Sequence, residues 1–148
     1  MSAHSVRTSV AASGVRWYEI RSPNGTPTVF QKGTITSGST SLWMVSIGMD
    51  KAGDIAVGFS ESSSSIHPAI AYTGRVPTDT LGTMESIFVV KSGAGSQNGG
   101  LSRWGDYTSM SIDPVTTALS GMPTSTFPSN GSFNWHTRLN SFKFTGCM

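Results

Sequence analysis

The stretch Leu42-Trp43-Met44-Val45-Ser46-Ile47-Gly48-Met49, then Asp50-Lys51-Ala52-Gly53-Asp54, then Ile55-Ala56-Val57-Gly58-Phe59, decides the fold. Two runs rich in β-branched and aromatic residues flank a short polar link. A link of Asp and Gly closes a hairpin, with Gly53 supplying the positive φ that a bulged turn needs. The same link looks superficially like a calcium loop, but it lacks the alternating oxygen ligands and the distal Glu of an EF-hand.

Working outward, the same grammar recurs. Residues 15–21 (VRWYEIR) alternate and run into the turn Ser22-Pro23-Asn24-Gly25, and residues 28–31 form a second run. Beyond the hairpin, residues 69–75, 84–91, 107–112, 134–139 and 141–144 read as further strands. No segment carries a 3.6-residue period with caps. The sequence predicts an all-β chain.

The strands also repeat as a block. Ser46-Ile47-Gly48-Met49-Asp50 is echoed by Ser109-Met110-Ser111-Ile112-Asp113, and WYEIR followed by TPTVFQKG is echoed by IAYTGR followed by ESIFVVKSG. Short antiparallel strands repeating every ~40–60 residues are the pattern of β-propeller blades. The expected organisation is a disordered or extended arm over residues 1–13 and one propeller fragment over 14–148. That fragment holds a part-blade at 14–33, a full four-stranded blade at 42–93 and a part-blade at 105–144. A two-sheet sandwich is the rival architecture.

Composition narrows the function classes. Apolar residues make up 36% and charged residues 12% of the 148, the latter about half the usual share, while Ser, Thr and 17 Gly fill the gap. The net charge of +2 comes from scattered Lys and Arg, so no clustered cations offer a nucleic-acid footprint. No run is long and apolar enough to span a membrane as a helix. Cys147 has no second cysteine to pair with. Met1-Ser2-Ala3-His4 leads into no apolar signal-peptide core, although the polar, uncharged composition is that of a secreted or cell-surface protein.

A resemblance adds to this. RWYEIR, MDKAGDIAVGFSESSSSIHPAIAYTGR, SRWGDYTSMSIDP and NWHTRLNSFKF are similar to the C-terminal part of large bacterial exported proteins with sialidase-type β-propeller repeats. The resemblance covers nearly the whole chain and implies a propeller, but no catalytic residues. The aspartate box Ser-x-Asp-x-Gly-x-Thr-Trp is absent from the chain, and no arginine triad can be placed. Sialidase activity is not implied. One segment departs from the pattern: residues 116–126 read TTALSGMPTST. Suitable codons for it, read one base earlier, give Asp-Asp-Cys-Ala-Phe-Trp-Tyr-Ala-Asn-Glu-Tyr, which points to a pair of compensating frameshifts. With Pro123 inside it, this segment is expected at an edge, at a bulge or in a loop.

Two to three blades do not close a propeller, which takes about four to eight. Open edges and uncovered faces predict a homo-oligomer, most simply a dimer. In a four-stranded meander, three loops would share one end: residues 60–67, 93–106 and 127–136. They carry Glu61, His67, Arg103, Trp104, Asp106, Trp135 and His136.

Several chemistries can be drawn from that set. Glu61 and Asp106, with His136, suit acid–base hydrolysis of a glycoside or ester; solvated loop acids are the competing reading. His67 and His136 with a carboxylate suit a divalent ion, but no HxxxH or CxxC spacing supports one, and no cofactor is assigned. A Ser–His–acid triad lacks the G-x-S-x-G elbow. Residues 93–100 are Gly-rich without a following Lys-Ser/Thr, so they form an inter-blade loop, not a phosphate cradle. His67, Arg103, Trp104 and Trp135 are the candidate ligand-binding residues, the two tryptophans as a sugar-stacking platform, whereas Trp17 and Trp43 belong by default to the core. The leading expectation is a binding or structural module. A hydrolase and a lectin-like carbohydrate binder are the alternatives.

Overall fold

The computed structural model describes residues 1–9, 12–100, 103–104, 108–115, 119–120 and 124–144. Every regular element among them is a strand, and all strand pairing is antiparallel. The first sheet is ordered β1 (Ser2–Arg7), β2 (Ser13–Arg21), β3 (Thr28–Ile35). The second is a four-stranded meander of β4 (Ser41–Met49), β5 (Ile55–Ser62), β6 (Ala69–Arg75) and β7 (Phe88–Lys91). The C-terminal part holds β8 (Ser111–Ile112), β9 (Leu119–Ser120), β10 (Thr124–Thr126), β11 (His136–Arg138) and β12 (Ser141–Phe142). These form a three-stranded sheet β12-β9-β8 and the pair β10-β11.

The β4–β5 hairpin closes as its sequence requires. Asp50 Oδ1 accepts the amides of Ala52 at 2.9 Å and Asp54 at 3.0 Å, and Gly53 takes φ +90. Burial then follows the strand period. On β2, Val15, Trp17 and Glu19 face inward, and on β5, Ile55, Val57, Phe59 and Glu61 share one face. The core joins Val15, Trp17 and Ile35 of the first sheet to Leu42, Ile55, Val57, Phe59 and Ala71 of the second. Full burial of such a side chain contributes about 1.5–3 kcal/mol.

The second sheet is covered on its other face too. Tyr72 stacks on Phe142 at 4.3 Å, and a Cβ on Gly74 would collide with the Phe144 ring. Two covered faces explain why β5 reads as a run of apolar and small residues with no polar alternation. The three layers follow one another in chain order.

Several expectations change. Residues 2–7 are a strand paired with β2, so the first sheet has three strands and begins well before residue 14. The predicted strand over 84–91 is regular only from Phe88; ahead of it Glu85 donates its amide to the Gly74 carbonyl at 2.8 Å, outside the regular β6–β7 pairing. Among its described residues the C-terminal region holds two small sheets. Within residues 116–126, Leu119–Ser120 form the centre of a sheet, not an edge, while β10 pairs with β11 alone among the described residues. Pro123, like Cys147, lies outside the described residues.

One irregularity sets the orientation of the next site. Trp43 pairs with Ser60 and Ser46 with Gly58, so Met44 and Val45 oppose Phe59 alone in a β-bulge. Met44 adopts φ +49 there, and its carbonyl accepts the Thr108 hydroxyl at 3.1 Å.

Candidate functional site

The three loops predicted to share one end do meet. His67 Nδ1 lies 2.8 Å from Ser96 Oγ, bridging the first loop to the second. The second and third are laced by backbone bonds: Ala94 N to Phe127 O at 3.0 Å, Asn98 N to Gly131 O at 2.9 Å and Gly131 N to Ser96 O at 3.1 Å. Asn130 Oδ1 also accepts the Ser96 amide at 2.8 Å. Gly95 is required here, because a Cβ would strike the Ser129 backbone.

Above this lacing runs a chain of aromatic rings. Trp43 meets Trp104 edge-on at 5.1 Å, Trp104 meets Phe127 at 5.2 Å, Phe127 meets Trp135 at 6.1 Å, and Trp135 meets Phe133 edge-on at 5.6 Å. Phe127 is buried, Trp43, Trp104 and Trp135 are half-buried, and Phe133 is 75% exposed. The Nε1 of Trp135 is buried with no acceptor, whereas that of Trp43 donates to Ser62 Oγ at 3.2 Å. Trp43 is therefore part of this chain and not of the core that holds Trp17.

Of the catalytic candidates, Glu61 and His136 are not brought together. Leu42 pairs with Glu61 and Trp43 with Ser60, so Glu61 faces the first sheet, while the aromatic chain lies on the other side of the second sheet. Glu61 is buried beside Leu42 and Ala69, and desolvation pushes its carboxyl up from the ordinary value. His136 is exposed at the start of β11, and Arg103 and His67 are exposed as well. Asp106 lies outside the described residues. Among the described residues, no three His, Cys, Asp or Glu side chains gather as metal ligands.

A second polar site sits at the opposite end of the sheets, where the 22–27 turn, the 50–54 hairpin and the 76–82 loop lie. Glu19 takes 2.7 Å hydrogen bonds from Arg21 Nε and Gln31 Nε2, and Gly82 N donates to Gln31 Oε1 at 3.1 Å. Desolvation alone would raise the Glu19 carboxyl. The bonds from Gln31 and Arg21, with the charges of Arg21 and Arg75, outweigh it and hold the group low. Burial pushes Asp54 up, and the neighbouring Asp50 and Asp79 charges add to that. Arg75 is 1% exposed and donates Nη2 to the Asp79 carbonyl at 2.7 Å. These residues were absent from the expected site. The signal was present: Glu19 sits at an inward position of the β2 alternation, and both echoed runs, WYEIR and IAYTGR, end in Arg.

No protein-family model, no curated protein and no solved structure matches the chain.

Proposed function

We propose that the chain is a non-enzymatic binding module of propeller type, with its ligand face at the laced loop end and a carbohydrate as the ligand class. The observation that carries this reading is the aromatic chain from Trp43 to Phe133, held by hydrogen-bonded loops and ending in an exposed ring. Rings on a rigid scaffold stack against the apolar faces of sugars, while loop hydroxyls and amides supply polar contacts. Three layers in chain order, the middle one a four-stranded meander, support blades as the unit.

The same reading makes the chain a C-terminal fragment of a bacterial exported protein with sialidase-type repeats, secreted or displayed at the cell surface. It also makes the chain a dimer. β1 and β3 are sheet edges, and Val29 on β3 is 55% exposed. Light scattering at micromolar concentration should give twice the monomer mass, and a monomer ends the assembly claim. A glycan array, followed by titration of any hit against Phe133→Ala, tests the ligand class. An array without hits, or a hit that Phe133→Ala binds unchanged, removes the carbohydrate reading.

One observation favours a hydrolase as the second reading: the Ser96–His67 contact is the start of a nucleophile–base pair. Turnover of p-nitrophenyl acetate that is lost in Ser96→Ala would establish it. Turnover equal in both proteins would dismiss it.

A further inference from the structure

We propose that the cavity at the turn end, remote from the laced loops, binds a small organic monocarboxylate with an apolar body. The cavity lies between the first and second sheets and measures about 380 Å³. That is the size of a ring or short chain carrying one charged group.

The polar groups in its wall select the charge. Glu19, Gln31 and Arg75 are all more than nine-tenths buried. Glu19 has both oxygens engaged, by Arg21 and Gln31, and Gln31 is engaged at both ends. Arg75 is different. A guanidinium carries five N–H donors, yet only Nη2 donates, to the Asp79 carbonyl, and Nε is buried without an acceptor. A buried cation short of acceptors is costly and gains most from a charged oxygen. In the wall Arg21 and Arg75 stand beside Glu19, and Asp50, Asp54 and Asp79 lie around the same end, so the pull on an anion is local to the unfilled donors of Arg75. With those carboxylates close by, a monoanion is accommodated better than a phosphate dianion.

The remaining wall selects the body. Ile20, Phe30, Met49 and Leu81 line the cavity and are each between 37% and 57% exposed, an apolar rim with nothing packed over it. The Arg21 guanidinium rests 3.3 Å above the Phe30 ring centroid, which ties it to the rim. A ligand entering carboxylate-first would cover the rim with its apolar end and bring oxygens to Arg75. This site is independent of the loop-end reading, and either can fail alone.

The test uses the full chain at pH 7 with benzoate, benzyl alcohol and inorganic phosphate as probes. Calorimetry should show one benzoate per chain, bound about tenfold tighter than benzyl alcohol, with phosphate weaker still. Amide NMR should show the benzoate shifts at Gly53 and Gly82 and not at Gly95 or Gly131. Arg75→Gln should weaken benzoate about tenfold. If that variant does not fold, Phe30→Ala at the rim should weaken benzoate and leave the fold intact. Benzyl alcohol or phosphate binding as tightly as benzoate overturns the proposal, as do shifts confined to the loop-end glycines.

Discussion

Gln31 Nε2 donates to Glu19 Oε2 at 2.7 Å across the β2–β3 pair, with both side chains more than nine-tenths buried. Glu19 is a depressed carboxyl, so it adds stability above its ordinary value of 4.5 that is lost as pH falls through the folded value. Replacing Gln31 by Met keeps the volume and removes the donor. Gln31→Met should lower the unfolding free energy at pH 7 by about 1–3 kcal/mol, and by less at a pH low enough to protonate the carboxyl in both proteins. Urea denaturation at the two pH values measures this. An equal loss at both would show that packing, not charge, holds the pair.

Glu61 has the opposite sign. Desolvation raises its carboxyl, so the folded state holds the proton more tightly than the unfolded state does. Stability therefore falls as pH rises from about 4.5 through the raised folded value, and is level above it. Glu61→Leu, placed beside Leu42 and Ala69, should raise the unfolding free energy at pH 7 by about 1–3 kcal/mol and flatten this slope. A variant weaker than the parent at pH 7 would show that the carboxylate is a stabilising group.

Gly33 is a packing constraint. A Cβ there would strike the Gly82 carbonyl and come within 2.6 Å of the Trp17 indole nitrogen, in a part of the fold where Trp17 is fully buried. Gly33→Ala should cost about 1–3 kcal/mol, read as a lower urea midpoint with an unchanged slope. An unchanged midpoint would mean that the 76–82 loop yields freely.

Phe133 should matter to the ligand and not to the fold. It is 75% exposed, so Phe133→Ala should leave the thermal midpoint within about 2 °C of the parent. Phe127→Ala, at 1% exposure between Trp104 and Trp135, should cost about 3–5 kcal/mol. Similar losses in the two variants would make the whole aromatic chain structural.

The strand class was legible because hairpin chemistry is local: Asp50 and Gly53 announce the turn that forms. The meeting of the three loops was legible too, since it follows from the alternating direction of strands. The side on which Glu61 lies was not. β5 runs on to Ser62, so Glu61 is in phase with Phe59 and faces the interior, whereas the apolar run in the sequence ends at Phe59 and Glu61 reads as a loop residue. The N-terminal strand was hidden because Ser2–Arg7 has few apolar residues, and its order comes from pairing with β2. The turn-end cavity was hidden because Glu19 and Arg75 are 56 positions apart in the chain, and only sheet stacking brings them to the same end.

The Met44 bulge acts as a phase shifter within β4. Upstream of it Leu42 enters the interior and Trp43 leaves it; downstream, Ile47 enters again. Deleting Met44 would leave Val45 alone opposite Phe59, with Leu42 still inward opposite Glu61 and Trp43 still outward opposite Ser60; what would go is the kink at φ +49 and the carbonyl that accepts the Thr108 hydroxyl. Point substitutions along the strand would be absorbed one side chain at a time. The bulge is thus a place where β4 can lose a residue and keep each flanking side chain on its own side.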